Sequence, residues 1–298
     1  MITLSHLSKS FGGHQAVSDL SFTLQPGEVL GLIGQNGAGK TTTFRMILDF
    51  IQADDGTISW DNHPIDDHLR RKIGFLPEER GLYQKQTVEE QVVYLAQLHG
   101  MEKKAAKTAL KDWMDRLQVV GEPGDLVQSL SKGNAQKIQM IMALIFEPEF
   151  IILDEPFSGL DPVNAAIFMD EIQRLKAHGA MIIFSSHNMD NVSQISDQLL
   201  MLKKGRTVLQ GPVQAIRESF GRTRLYVEAP HLTKSDYLAM AGVIHAESKD
   251  GGYMLTLAYE AAGRQIFEAV TSNGYIPAFS QQPPTLAEIF KTEVSTND

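Results

Sequence analysis

The sequence contains no cysteine, which excludes disulfides, thiolate metal sites and cysteine nucleophiles and is compatible with a reducing compartment. Long hydrophobic runs are also missing. The longest, such as 150–153 and 181–184, have the length of buried strands and fall far short of the ~20 residues that cross a bilayer. A role at a membrane would therefore need another chain to supply the membrane part. The opening residues Met1-Ile2-Thr3-Leu4-Ser5-His6 lack a basic start followed by an apolar core, so a signal peptide is not expected. Basic runs are absent as well. The formal net charge is −9 and the pI about 5.5, which argues against a duplex-binding surface and against nucleic acid as a partner. No repeats or low-complexity tracts occur.

What is present is an ordinary globular composition over 298 residues, enough for one large domain or two of moderate size. Short apolar runs over 29–33, 73–76, 151–153, 181–184 and 198–202 predict strands, several of them apolar throughout, as in sheets buried on both faces. Helical patterns over 40–50, 88–98, 103–117, 135–146 and 163–177 alternate with them, and the last has Pro162 at its start and Gly179 beyond its end. The alternation predicts an α/β layer structure. Residues of about 87–147 hold three helices and no convincing strand, which predicts a helical subdomain. Lys203-Lys204-Gly205-Arg206 predicts a hairpin turn, followed by a strand over 207–210 and a short helix over 212–220. After Gly221 the pattern resets, with strands over 224–228, 243–247, 253–257 and 275–279 and helices over 234–241, 261–272 and 286–291. That β-α-β-β-α-β order predicts a small ferredoxin-like α+β domain. The expected domains are 1–220 and 221–298.

Gly34-Gln35-Asn36-Gly37-Ala38-Gly39-Lys40-Thr41 fits G-x-x-x-x-G-K-[ST] between a strand and a helix. Glycines let backbone N–H groups turn inward around phosphates, and the helix N-terminus adds a favourable dipole. Lys40 is expected on the β- and γ-phosphates of ATP and Thr41 on Mg²⁺. Phe150-Ile151-Ile152-Leu153-Asp154-Glu155 is an apolar strand ending in two carboxylates. Asp154 could hold the Mg²⁺ shell and Glu155 polarise an attacking water. A buried strand followed by acidic loop residues is common, and the pair gains force only beside the phosphate loop.

Between these motifs lies Leu130-Ser131-Lys132-Gly133-Asn134-Ala135-Gln136-Lys137, which resembles the signature segment of ATP-binding cassette (ABC) ATPases. Its usual form is LSGGQ; here Lys132 replaces a glycine and Asn134 the glutamine. Ser158-Gly159-Leu160-Asp161 is similar to the family's D-loop, His187 to its switch histidine, and Phe11 to the aromatic that stacks on adenine. Each has a plain alternative: Ser131 a helix N-cap, Asp161-Pro162 a helix start, His187 a turn residue, Phe11 a core or scattered surface aromatic. Their joint order over residues 1 to about 220 carries the resemblance. Gly74-Phe75-Leu76-Pro77-Glu78-Glu79-Arg80-Gly81-Leu82-Tyr83 and the appended C-terminal domain resemble the NatA-like branch, whose members energise separate exporter-type membrane subunits handling ions or drugs.

The resemblance implies a P-loop ABC cassette in which two copies sandwich each nucleotide. Lys40, Thr41, Asp154 and Glu155 would act in cis, joined at the nucleotide by Val17 and Thr42. Ser131, Gly133 and Asn134 would contact the γ-phosphate from the opposite subunit, and Asp161 of the D-loop is a further residue expected at the nucleotide. Glu155 would be the general base and His187 would orient the γ-phosphate and the water. Where the family keeps a glutamine in the Q-loop, this chain has Glu78, a further carboxylate expected near Mg²⁺. The implied partners are a transmembrane permease and a second ATPase subunit, identical or paralogous, on the cytoplasmic inner face of the cell membrane. A non-transport ABC ATPase acting on ribosomes or DNA is the alternative. Such proteins generally carry paired cassettes in one chain or a long coiled-coil insert, and the sequence shows neither. Residues 221–298 hold no motif with evident chemistry.

Overall fold

The computed structural model describes residues 1–79, 81–272 and 274–295, so Arg80 of the segment 74–83 lies outside the described residues. The chain divides into two compact units, Met1–Gln210 and Gly211–Asp298, ten residues ahead of the boundary expected at 220.

The first unit is built on a six-stranded sheet in the order Arg206–Pro212, Gln198–Lys203, Val29–Ile33, Met181–Ser185, Phe150–Asp154, Ile73–Leu76. The pairings among the last five are parallel. The strands at its centre are buried at every position, which explains their unbroken apolar sequence: in a parallel sheet covered on both faces neither side can be polar. Lys204 and Gly205, both at positive φ, close the expected hairpin turn between the last two strands of the chain in this sheet. A second, antiparallel sheet runs His14–Leu24, Ile2–Phe11, Asp55–Trp60, His63–Pro64. Ile2, Leu4, Leu20 and Phe22 from it share one core with Leu32, Phe150 and Ile152 of the first.

The helical subdomain consists of Val88–Leu98, Lys103–Arg116 and Lys132–Leu144. Thr87 and Glu90 form a capping box at the start of the first. The third begins three residues before the expected 135, because the Ser131 hydroxyl accepts from Asn134 N (3.2 Å) and sets the N-terminus there. It passes so close to the sheet that a Cβ on Gly74 would lie 2.3 Å from the carbonyl oxygen of Ala143. The helix after the glycine loop spans Lys40–Ile47 rather than 40–50. Asp49 turns into the left-handed region (φ 59) and Phe50 N donates back to Arg45 O, a pattern that ends helices.

The second unit follows the expected β-α-β-β-α-β order, with sheet order Val243–Lys249, Gly252–Leu257, Arg224–Glu228, Ala278–Gln282 and antiparallel pairing throughout. This is the ferredoxin-like arrangement, the first strand lying between the third and the fourth. Helices Lys234–Leu238 and Ala262–Thr271 close its core around Leu225, Val227, Tyr237, Ile266 and Val270. The last strand starts at Ala278 instead of 275 because Pro277 has no N–H to give to a ladder.

Tyr237 is fully buried and its hydroxyl has no hydrogen-bond partner among the described residues; burial pushes its phenol up to about 12. A buried hydroxyl without a partner loses its hydration for nothing in return. Tyr237→Phe should therefore leave stability unchanged or raise it by about 1 kcal/mol in urea denaturation of the full chain. A loss of that size would mean the hydroxyl is satisfied in solution.

Candidate nucleotide site

Strand Val29–Ile33 runs into the glycine loop, whose Gly34, Gly37 and Gly39 all take positive φ. At Gly39 only a hydrogen fits, since a Cβ would meet the carbonyl of Ala16 at 2.5 Å. The loop is tied to its surroundings by Gly205 N to Ala38 O (3.1 Å) and Ala38 N to Gln35 O (3.0 Å). The Lys40 ammonium lies over it, donating to the carbonyls of Gly34 (2.8 Å) and Gln35 (3.3 Å).

Asp154 ends the strand Phe150–Asp154 with only 4% of its surface exposed. Its Oδ1 accepts from Ser185 Oγ at 2.6 Å and its Oδ2 from Thr41 Oγ1 at 3.3 Å. The register explains the first contact, because Asp154 and Ser185 are directly paired across the parallel strands. Ser185 Oγ also accepts from Glu155 N at 2.9 Å, so one hydroxyl fixes both carboxylate residues. Glu155 then turns through φ 51 and brings its Oε2 within 2.9 Å of His187 Nδ1; the Glu155 side chain is 11% exposed and that of His187 77%. Burial raises the Glu155 carboxyl above its ordinary value, and the charge and hydrogen bonding of His187, with the charge of Lys40, offset part of that.

These groups converge on a cavity of about 570 Å³ lined by Ala16, Asn36, Gly37, Gly39, Lys40, Thr41, Thr42, Glu78, Asp154, Glu155 and His187. Several residues expected at a nucleotide are not part of this lining. Gly34, Gln35 and Ala38 belong to the glycine loop but not to the lining. Val17 is fully buried in the core under Gly39, and its neighbour Ala16 faces the cavity instead. Phe11 is half exposed, with Lys9 Nζ 5.5 Å from its ring centroid. Ser131, Gly133, Asn134 and Asp161 stand outside this lining. The Asn134 amide is engaged within its own chain: its Oδ1 accepts from Val120 N (3.1 Å) and its Nδ2 donates to Val120 O (3.0 Å). Sequence reasoning missed Ser185, although a hydroxyl at the end of an apolar strand, two positions before His187, was visible. Among the described residues no three His, Cys, Asp or Glu side chains converge closely enough to hold a metal ion.

Residues 17–158 match the family model described as ABC transporter, and residues 211–294 match the model of the C-terminal domain of DrrA1-3-like ATP-binding proteins. An uncharacterized ABC transporter ATP-binding protein, YhaQ of Bacillus subtilis (strain 168), is 41% identical over 99% of this chain and 98% of its own length. The chain belongs to the ABC transporter ATP-binding family. The ABC transporter ATP-binding protein NatA of the same organism is 35% identical over 74% of this chain and 92% of its own. A solved ATP-binding subunit of an ABC transporter overlays with a TM-score of 0.69 at 29% identity, covering 74% of this chain and 93% of that one. ABC transporter cassettes are ATPases that work as dimers with a membrane permease. Among the described residues of this one, no helix is long and apolar enough to cross a membrane.

If Ser185 holds the two acids as described, Ser185→Ala should lower unfolding free energy by about 2 kcal/mol, the worth of a buried hydrogen bond to a charged acceptor. Chemical denaturation of the full chain measures it; an unchanged midpoint would show that Asp154 finds another donor.

Proposed function

We propose that the chain hydrolyses ATP to drive export of ions or drugs through a separate transmembrane permease, working as one of two cassettes on the inner face of the cell membrane. The observation that carries the catalytic part is the placement of Glu155, desolvated and bonded to His187, on the same cavity as Lys40, Thr41 and Asp154. Export is supported by the likeness to the NatA-like branch.

Glu155 would accept a proton from the attacking water, helped by a carboxyl whose affinity for protons burial has already raised. His187 would orient Glu155 and the water against the γ-phosphate. Lys40 would leave the carbonyls of its own loop for the β- and γ-phosphates. The Thr41 hydroxyl and the Asp154 carboxylate, 3.3 Å apart, are hard oxygen donors of the kind that hold Mg²⁺ together with phosphate oxygens and waters. Glu78 lines the same cavity and would reach that shell. When bound, Mg²⁺ neutralises charge on the phosphates, which matters here because three carboxylates line the cavity. Ser131 and Gly133, at the start of helix Lys132–Leu144, would meet the γ-phosphate held by a second subunit, and Asp161 would face that subunit across the same junction.

A groove suited to the permease lies between the sheet and the helical subdomain, a cavity of about 320 Å³ lined by Leu48, Phe50, Phe75, Leu95, His99 and Phe146 among others. Phe50 is 65% exposed there. The non-transport alternative loses support, since the longest helix among the described residues, Pro162–Ala177, has 16 residues and cannot form a long coiled-coil insert.

Because the base must be ionised, hydrolysis should rise with pH through the raised pKa of Glu155, giving an acid limb above the ordinary carboxylate range. Since His187 lowers that pKa, His187→Ala should move the limb to higher pH as well as slow the reaction. A limb at the ordinary carboxylate position would remove Glu155 as the base. Glu155→Gln should still bind ATP and trap a dimer, with turnover reduced about 100-fold or more. From detergent-solubilised membranes, the trapped protein should recover an integral membrane protein, and Phe50→Asp should release it. Recovery of ribosomes or DNA in its place would overturn the transport reading. Glu78→Gln should change the Mg²⁺ dependence of turnover; no change would free Glu78 of any role at the metal.

A further inference from the structure

Helix Pro162–Ala177 is capped by Asp161 of the D-loop, whose Oδ1 accepts from Asn164 N (2.9 Å) and whose Oδ2 accepts from Asn164 Nδ2 (2.6 Å). Further along, about 15 Å at 1.5 Å per residue, the same helix buries Glu171, which is 4% exposed. Arg174 donates to both oxygens of Glu171 (2.6–3.0 Å). Arg116 approaches it from the helical subdomain at 3.6 Å, and both guanidinium groups lie over the Trp113 ring, 4.7 Å and 5.8 Å from its centroid. A buried carboxylate paired in this way resists separation, because losing a partner leaves an uncompensated charge.

Arg116 is the last residue of helix Lys103–Arg116. The turn that follows it grips the signature helix twice. Val120 takes both ends of the Asn134 amide (3.1 and 3.0 Å), and Gln118 O accepts from the buried ammonium of Lys137 (2.8 Å). At its start the signature helix also runs close beside the D-loop helix: a Cβ added at Gly133 would lie 3.5 Å from Asn164 Nδ2. The contacts therefore close a ring: signature helix, turn 117–120, Arg116, Glu171, D-loop helix, and back through Asn164 to Gly133.

We propose that Asn134 and Arg116 are positioning residues which, through Glu171, hold the signature segment and the D-loop at a fixed spacing, so that the two elements reach a second subunit's nucleotide as one rigid surface. The proposal rests on the reading of Ser131, Gly133 and Asp161 as groups that face that subunit. In it the substituted signature residue, Asn134, has exchanged contact with nucleotide for a double hydrogen bond inside its own subunit. The ring is satisfied and buried at its far end and exposed at Ser131, as a preorganised binding surface requires.

The test places Arg116→Met and Asn134→Ala in the full-length Glu155→Gln background and follows ATP-driven dimerisation by light scattering. Arg116 is 40% exposed in its side chain, and methionine keeps the stem, so folding is retained and is verified by thermal melting. Each variant should raise the ATP concentration for half-dimerisation about fivefold, the scale of a pairwise coupling, while Arg116→Met leaves nucleotide binding by the monomer unchanged. The double variant should lose little more than the worse single one, because either break opens the same ring. Arg116→Lys, which keeps the charge beside Glu171, should recover most of the loss. Asn134→Asp, which sets an oxygen against Val120 O, should not. Normal dimerisation in both single variants, or losses that add independently, would overturn the proposal while leaving the two-subunit reading intact. A Glu155→Gln parent that fails to dimerise with ATP would remove that reading and the proposal together.

Discussion

The Asp154 carboxylate sits at the end of a strand with no polar neighbour along its length, and such a group leaves water only where donors replace its hydration. Two hydroxyls do so, Ser185 at 2.6 Å and Thr41 at 3.3 Å. They belong to the neighbouring strand's end and to the first turn of the helix behind the glycine loop, so satisfying one carboxylate fixes three chain segments. Ser185 then passes the constraint on to the Glu155 backbone at 2.9 Å. The glycine loop, the strand end and the Glu155 backbone are thus set by a single desolvated charge, and the parallel register that pairs Asp154 with Ser185 is what makes the arrangement possible.

A second constraint is the crowding of negative charge. Glu78, Asp154 and Glu155 line one cavity with Lys40 and His187. Lys40 is held by backbone carbonyls and His187 by Glu155, so both cationic or potentially cationic groups have partners before any phosphate arrives. Glu78, where the resemblance leads one to expect a neutral amide, adds a further carboxylate to this balance.

The parts of the fold that were legible in the sequence are those in which one periodicity dominates. The buried strands of the six-stranded sheet read as apolar runs because nothing polar is tolerated on either face, and helix Val88–Leu98 agrees residue for residue. The antiparallel sheet went unread. Ile2–Phe11 and His14–Leu24 bury alternate residues but are broken by register shifts near Leu4 and Leu7 and by positive-φ residues at His6 and Asp19, which blur the period of two. In the site, the loop and the acids were visible because their chemistry dictates local spacing. Ser185 was not singled out and Asn134 was assigned to the nucleotide, since both act through partners 31 and 14 residues away, and no local pattern records such distances.

Glu155 occupies the left-handed region of backbone space without being glycine, a conformation that costs an L-residue roughly 1 kcal/mol. The turn 155–158 and the Ser185 hydroxyl hold it there. The position therefore lies under opposing pressures: chain conformation alone favours glycine, and the proposed proton transfer demands a carboxylate. Selection for thermal resistance alone would be expected to drift toward loss of the acid at this site, whereas selection for turnover keeps a strained residue that neighbouring contacts must continually restrain.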